Sequence, residues 1–163
     1  VSIEGTNFSS WFNQSEGTFR VRGQNDVPVS SGNDGGIRFM SVSTGPSVYQ
    51  DTTYSFSSNS RNFGAVFLTR GESGAADYNF YSYLGWTNTF PMQTYVGGYD
   101  STSSTIGYNN LSRTQSISFA LQNDLSHMWI GRNHAFAPNR NHIGRISYWP
   151  KKLTDTSLQY LTQ

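Results

Sequence analysis

The sequence predicts an all-β sandwich closed by one short C-terminal helix, on three observations. Strand and turn formers dominate: aromatics make up 15% of the 163 residues, and Ser, Thr, Asn and Gly dominate the polar remainder. Turn signals recur at roughly the 8 to 12 residue spacing of a sandwich. Only the final stretch carries helix-start chemistry. At this length one domain, residues 1–163, with a core of ordinary size is expected.

In chain order, residues 1–5 alternate as a first edge strand, and residues 7–17 make a compact loop carrying Phe8, Trp11 and Phe12. Residues 17–22 are a strand with Phe19 and Val21 inward and Arg20 and Arg22 outward. Residues 25–36, with Ser31-Gly32-Asn33-Asp34-Gly35-Gly36, predict a mobile loop. Strands are expected at 36–43, 47–56 and 64–69, then a turn at 70–76. Residues 77–86 are strongly aromatic, and 90–99 read as their partner strand. Residues 100–110 read as a polar loop or edge hairpin. In 114–122, Ile117, Phe119 and Leu121 share one face. Met128-Trp129-Ile130 is a short buried strand, and 132–142 a polar loop with Pro138.

The closing unit is the most fully specified. Its strand, 145–149, puts Ile146 and Tyr148 on one face and Arg145, Ser147 and Trp149 on the other. Pro150 lacks an N–H and ends the ladder. Thr154 is the N-cap, Asp155 suits the positive helix end, and Leu153 and Leu158 hold the two positions of a hydrophobic staple.

Composition narrows the function. Net charge is +1, only 13% of residues are charged, and Lys151-Lys152 is the only basic pair, so no nucleic-acid surface is expected. No run approaches the roughly 18 to 20 apolar residues of a membrane span. No cysteine is present, which removes disulfides, thiolate metal sites and cysteine nucleophiles. No signal peptide is read, and the opening Val1 suits a domain cut from a longer protein.

The two ends carry a resemblance. Asn7-Phe-Ser-Ser-Trp-Phe-Asn-Gln-Ser-Glu-Gly-Thr-Phe19 and Ile143-Gly-Arg-Ile-Ser-Tyr-Trp-Pro-Lys-Lys-Leu-Thr-Asp-Thr-Ser-Leu-Gln-Tyr-Leu-Thr162 resemble the opening and closing stretches of concanavalin A-like (laminin G-like) domains in bacteriophage tail-fibre, tailspike and other virion proteins. Trp129-Ile-Gly-Arg132 is similar to that family's penultimate strand. The motifs cover the first and last fifths of the chain, and the family's frequent Asn-Gly hairpin is missing. The resemblance implies a two-sheet antiparallel jelly-roll sandwich, a role in carbohydrate recognition, and a virion or extracellular location. It names no sugar. Turn and cap chemistry accounts for nearly every residue of both motifs, so they read as scaffold.

Glycan recognition needs planar aromatic faces for sugar C–H surfaces and polar groups for hydroxyls. Two regions are candidates: the aromatics Tyr81, Tyr83, Trp86, Tyr95 and Tyr99, and the loop residues Arg132, His134, Arg140 and His142. The bland alternatives are core or outer-face rings and a solvated loop. Catalysis is not expected. A glycosidase needs two carboxylates across one site, and Glu4, Glu16 and Glu72 lie in different settings. Asp77 with Asp100, or Asp124 with His127, are conceivable pairs, but nothing favours them over loop caps, and no Gly-x-Ser-x-Gly elbow occurs. No cofactor is implied. Calcium through Asn33-Asp34 or Asp100 is conceivable but unsupported by spacing.

The expectation is a non-catalytic, glycan-binding domain of a phage tail or virion surface protein. A structural virion protein meeting protein neighbours and a polysaccharide-degrading enzyme are the alternatives. Such appendages are commonly trimeric, though no heptads are present to establish it.

Overall fold

A computed structural model describes residues 2–25, 37–45, 52–59, 63–70, 76–79, 92–108, 110–117, 120–131 and 141–163. The described strands form two antiparallel sheets, a β-sandwich with one short C-terminal helix. One sheet has the order β1 (Ser2–Glu4), β10 (His127–Ile130), β3 (Ile37–Ser43), β4 (Thr52–Asn59), β5 (Phe63–Arg70), β6 (Ala76–Asn79). The other has the order β11 (Asn141–Trp149), β2 (Gly17–Asn25), β7 (Gln93–Tyr99), β8 (Ser103–Tyr108), β9 (Leu111–Ser116). A one-turn helix, α1 (Thr6–Ser9), follows β1, and α2 (Asp155–Leu161) ends the described chain.

In β2 and β11, alternation sorts the side chains as period-two geometry requires. Phe19 and Val21 of β2 are fully buried, and Phe39, Met40, Val42 and Met128 meet them from the six-stranded sheet. Ile146 and Tyr148 pack against this core from β11, as their phase predicts. Phe8 and Phe12 of the opening stretch join the same cluster, their rings 4.5 Å apart.

The two chain ends are tied together by polar contacts. The Asn13 amide donates to the Tyr148 hydroxyl at 2.9 Å, and the Tyr99 hydroxyl donates to the Asn13 carbonyl at 2.6 Å. Asn13 Nδ2 donates to the Pro150 carbonyl at 3.0 Å. Thr18 Oγ1 donates to the Lys151 carbonyl and accepts from the Leu153 amide, at 3.0 and 2.9 Å. Gly17 makes room for this arrangement: a Cβ there would sit 2.6 Å from the Tyr99 hydroxyl and 2.9 Å from the Tyr148 ring.

The helix α2 lies on the outer face of the five-stranded sheet, not in the sandwich interior. Thr154 caps it as predicted, its Oγ1 accepting from the Ser157 amide at 3.2 Å. Leu158 is fully buried yet stands apart from the core cluster. It presses on strand backbone left open by glycine: a Cβ at Gly107 would lie 3.3 Å from the Leu158 carbonyl, and one at Gly98 3.6 Å from Leu158 Cδ1.

Several element boundaries differ from the sequence reading. Residues 7–17 contain part of a helical turn, and the strand expected at 47–56 is β4, displaced toward 59. Residues 100–110 supply an interior strand, β8, in place of a loop or edge hairpin. Thr105 is buried on the face that α2 covers, its Oγ1 bonding Thr114 Oγ1 at 2.8 Å with Asp155 reaching both, while Ser104 is buried on the inward face with Ile106 and Tyr108. The strand expected at 114–122 ends at Ser116, where the Ile117 amide turns to the Thr102 carbonyl at 2.7 Å. Of the loop expected at 25–36, Asn25 ends β2 and the rest lies outside the described residues, as does the aromatic stretch 77–86 beyond Asn79, the end of β6.

Removing the buried side chain in Leu158→Ala should cost about 2–5 kcal/mol in urea unfolding, and Leu158→Asp should prevent stable folding. Lys151 is exposed and lends only its backbone carbonyl to the clasp. Lys151→Ala should therefore shift stability by no more than about 0.5 kcal/mol. A Leu158→Asp chain with an unchanged midpoint would contradict this account of α2.

Candidate ligand-binding face

The structure sorts the residues that sequence reasoning nominated. Tyr95 and Tyr99 must be corrected: they are 2% and 0% exposed and belong to the core. The odd positions of β7 face the interior, where Tyr95 stacks on Phe39 at 5.5 Å and Tyr99 on Phe19 at 6.4 Å. Their hydroxyls are satisfied inside the fold, Tyr95 donating to Gln93 Oε1 at 2.7 Å and Tyr99 to the Asn13 carbonyl. Burial, with the neighbouring Tyr108, pushes the Tyr95 hydroxyl well above the ordinary phenol range. A preference for Tyr over Phe therefore does not mark a wet surface here, because an internal hydroxyl partner serves as well as water. Tyr81, Tyr83, Trp86, Arg132, His134 and Arg140 lie outside the described residues. His142 is exposed near the start of β11, opposite Gln24 of β2.

His142 belongs to a face that the sequence reading did not nominate. On the outer side of the five-stranded sheet, β2 presents Arg20 and Arg22. In β11, Arg145 is directly opposite Arg22, Ser147 opposite Arg20, and Trp149 opposite Thr18. The β11–β2 register shifts between Ile143 and Arg145. The extra residue, Gly144, lets Ile143 pack inward while Arg145 and His142 both remain outward.

Two clefts meet on this face beside α2. One, of about 430 Å³, is lined by Arg20, Arg22, Met92, Gln93, Thr94, Thr162 and Gln163. The other, of about 410 Å³, is an apolar groove between β11 and the helix, walled by Trp149, Leu153, Tyr160 and Leu161 with Thr156 and Ser157. Tyr160 is 72% exposed. The clefts adjoin at one contact: Arg20 Nε donates to the Leu161 carbonyl at 3.0 Å. There the negative end of the helix dipole favours a cation.

Of the conceivable catalytic pairs, Asp100 and His127 make structural contacts, and the Asp77 side chain lies outside the described residues. Asp100 accepts from the Thr102 amide and hydroxyl, each at 2.7 Å, and from the Ser103 amide at 2.8 Å. Its other oxygen meets Lys152 Nζ at 3.0 Å. His127 is held by Ser126 Oγ at 2.8 Å and Glu4 at 3.4 Å, while Asp124 is exposed. Ser126 gives its hydroxyl hydrogen to the Thr44 carbonyl, so its oxygen accepts from His127, opposite to the arrangement that activates a serine. Among the described residues, no cluster of three or more His, Asp or Glu is arranged to hold a metal. Among them, too, no helix is long and apolar enough to cross a membrane.

No family model and no curated protein matches the sequence. Solved structures share the fold. The binding domain of botulinum neurotoxin DC in complex with SialylT matches at a TM-score of 0.67 and 14% identity, over 99% of this chain and 38% of that one. The botulinum neurotoxin serotype G binding domain matches at 0.64 and 12%, over 91% and 36%. Trypanosoma rangeli sialidase in complex with 2,3-difluoro-KDN matches at 0.59 and 14%, over 91% and 23%. At these identities the likeness is one of fold, and this chain spans well under half the length of each.

The Asp100 contacts have a pH signature. Burial opposes its charge, but the Thr102, Lys152 and Ser103 hydrogen bonds prevail and hold the carboxyl well below its ordinary value of 3.8. A carboxyl lowered in the folded state stabilises the fold above the unfolded value and loses that contribution as pH falls below it. Asp100→Asn should thus lower the melting temperature at pH 7 and narrow its gap to the wild type near about pH 2. Parallel melting curves across that range would count against the assignment.

Proposed function

We propose that the chain is a non-catalytic carbohydrate-binding domain of a phage tail or virion surface protein, recognising host glycan outside the cell. The observation that carries this reading is the Trp149–Tyr160 groove, which adjoins a cleft of arginine, amide and hydroxyl groups. The exposed Tyr160 ring and the half-buried Trp149, Leu153 and Leu161 suit the C–H faces of a pyranose, and the neighbouring polar groups suit its hydroxyls. Support comes also from the phage-like motifs at both chain ends and from a neurotoxin binding domain of the same fold captured with SialylT.

His142 extends the face along β11, and Tyr81, Tyr83, Trp86, Arg132, His134 and Arg140 are proposed as further contacts. In this reading the domain works in a larger virion assembly, such as a homotrimer, without nucleic acid or membrane insertion. A second reading, contact with protein neighbours in the virion, draws on Leu111, which is 69% exposed on the edge strand β9.

The test is binding of the chain to a glycan array and to immobilised host polysaccharides. Trp149→Ala and Tyr160→Ala should each weaken binding by about tenfold or more, with melting temperatures close to wild type. Binding of no glycan at all, together with a large face buried against virion neighbours, would overturn the proposal in favour of the second reading. New reducing ends or unsaturated products on incubation with polysaccharide would show an enzyme instead.

A further inference from the structure

Arg22 and Arg145 are an unusual pair. They are directly opposite each other on neighbouring strands, both exposed, on one face of the sheet. Like charges so placed repel and weaken a sheet. Among the described residues, no ion pair offsets them. Neither the His127–Glu4 pair at 3.4 Å nor the Lys152–Asp100 pair at 3.0 Å involves these arginines. No acidic residue is among the described residues that line the adjoining cleft. Arg145 Nε has only the Ser147 hydroxyl, at 3.1 Å. Yet the fold sets them on one face: alternation along β11 puts Arg145 outward with Ser147 and Trp149, level with Arg22, and the irregularity at Gly144 turns only Ile143 into the core.

We infer that this arginine row binds the carboxylate of an acidic saccharide unit, so that the domain selects anionic glycans. The inference rests on the proposed reading of this face as a glycan site and adds the chemical class of the ligand. Guanidinium groups hold carboxylates through paired N–H donors, with geometry as well as charge. Gln93, Thr94 and Thr162 line the cleft that Arg22 and Arg20 enter, beside Arg145, and offer amide and hydroxyl partners to the sugar hydroxyls around that carboxylate. The apolar groove beyond Leu161 then takes an adjacent unit of the chain, since Arg20 and the Leu161 carbonyl join the two clefts. An anion between Arg22 and Arg145 turns a repulsive pair into a shared clamp. Local departures of this kind from sheet chemistry are characteristic of functional sites.

The experiment measures binding of the whole chain to polygalacturonate and polysialic acid, to dextran sulfate, and to unmodified dextran at matched chain length. The carboxylated polymers should bind at least about tenfold more tightly than dextran, with affinity falling as salt rises. The double variant Arg22→Gln/Arg145→Gln should lose that preference. Its melting temperature should equal or exceed the wild type, because a repulsion has been removed; a merely structural role would lower it. Equal binding of neutral and carboxylated polymers, by wild type and double variant alike, would overturn this inference and leave the glycan-binding reading standing. Preference for dextran sulfate with no affinity for the carboxylated polymers would also overturn it. Failure of every polysaccharide to bind would overturn both.

Discussion

The pairing of β2 with β11 is the constraint from which the rest of the molecule follows. It brings the first long strand against the last, so the sheet is complete only when both chain ends are in place. Asn13 reinforces the junction through both backbone groups and its side chain, meeting Tyr148, Tyr99 and the Pro150 carbonyl. The contacts with Tyr148 and Tyr99 are half-buried, and such polar contacts cost most when one partner is missing. The Tyr148 hydroxyl shows that environment, since burial raises its pKa against the opposing hydrogen bonds from Tyr99 and Asn13. Because the junction joins residues more than a hundred positions apart, closing it carries the entropy cost of a very long loop.

The same pair of strands divides the labour between its two faces. Inward, Phe19, Val21, Ile146 and Tyr148 are core. Outward, the sheet has two tasks: beneath α2 it offers Gly98, Gly107 and the buried Val96 and Thr105, and beyond the helix it offers arginines. Leu158 fixes the helix, and the helix in turn sets one wall of both clefts through Tyr160, Leu161 and Thr162. The candidate face is thus built on strands and a capped helix, elements that hold side chains in place before a ligand arrives.

Much of this was legible in the sequence, and the reason is local. The phase of residues 145–149, the Pro150 stop and the Thr154 cap are short-range consequences of backbone chemistry, and each is found as read. What failed depended on distant partners. Tyr95 and Tyr99 looked like surface rings until Phe39, Gln93 and Asn13 supplied an interior for them. Residues 103–108 looked like a polar loop because nothing in their own composition announces that α2 will cover Thr105. The candidate face was missed for a different reason. Alternation had already put Arg145 and Trp149 outward with Arg20 and Arg22, but the closing motif was read as scaffold alone.

A clasp and a binding face can occupy the same residues because they use opposite sides of one strand. Tyr148 and Trp149 are neighbours in sequence, yet one secures Asn13 and the other walls the outer groove. Period-two geometry makes such double use natural, and Gly144 extends it past the point where strict alternation would have turned Ile143 outward. In the closing motif, what the fold requires and what a ligand would require are therefore separable residue by residue. Inward positions answer to stability, and outward positions beyond the footprint of α2 are free to answer to recognition.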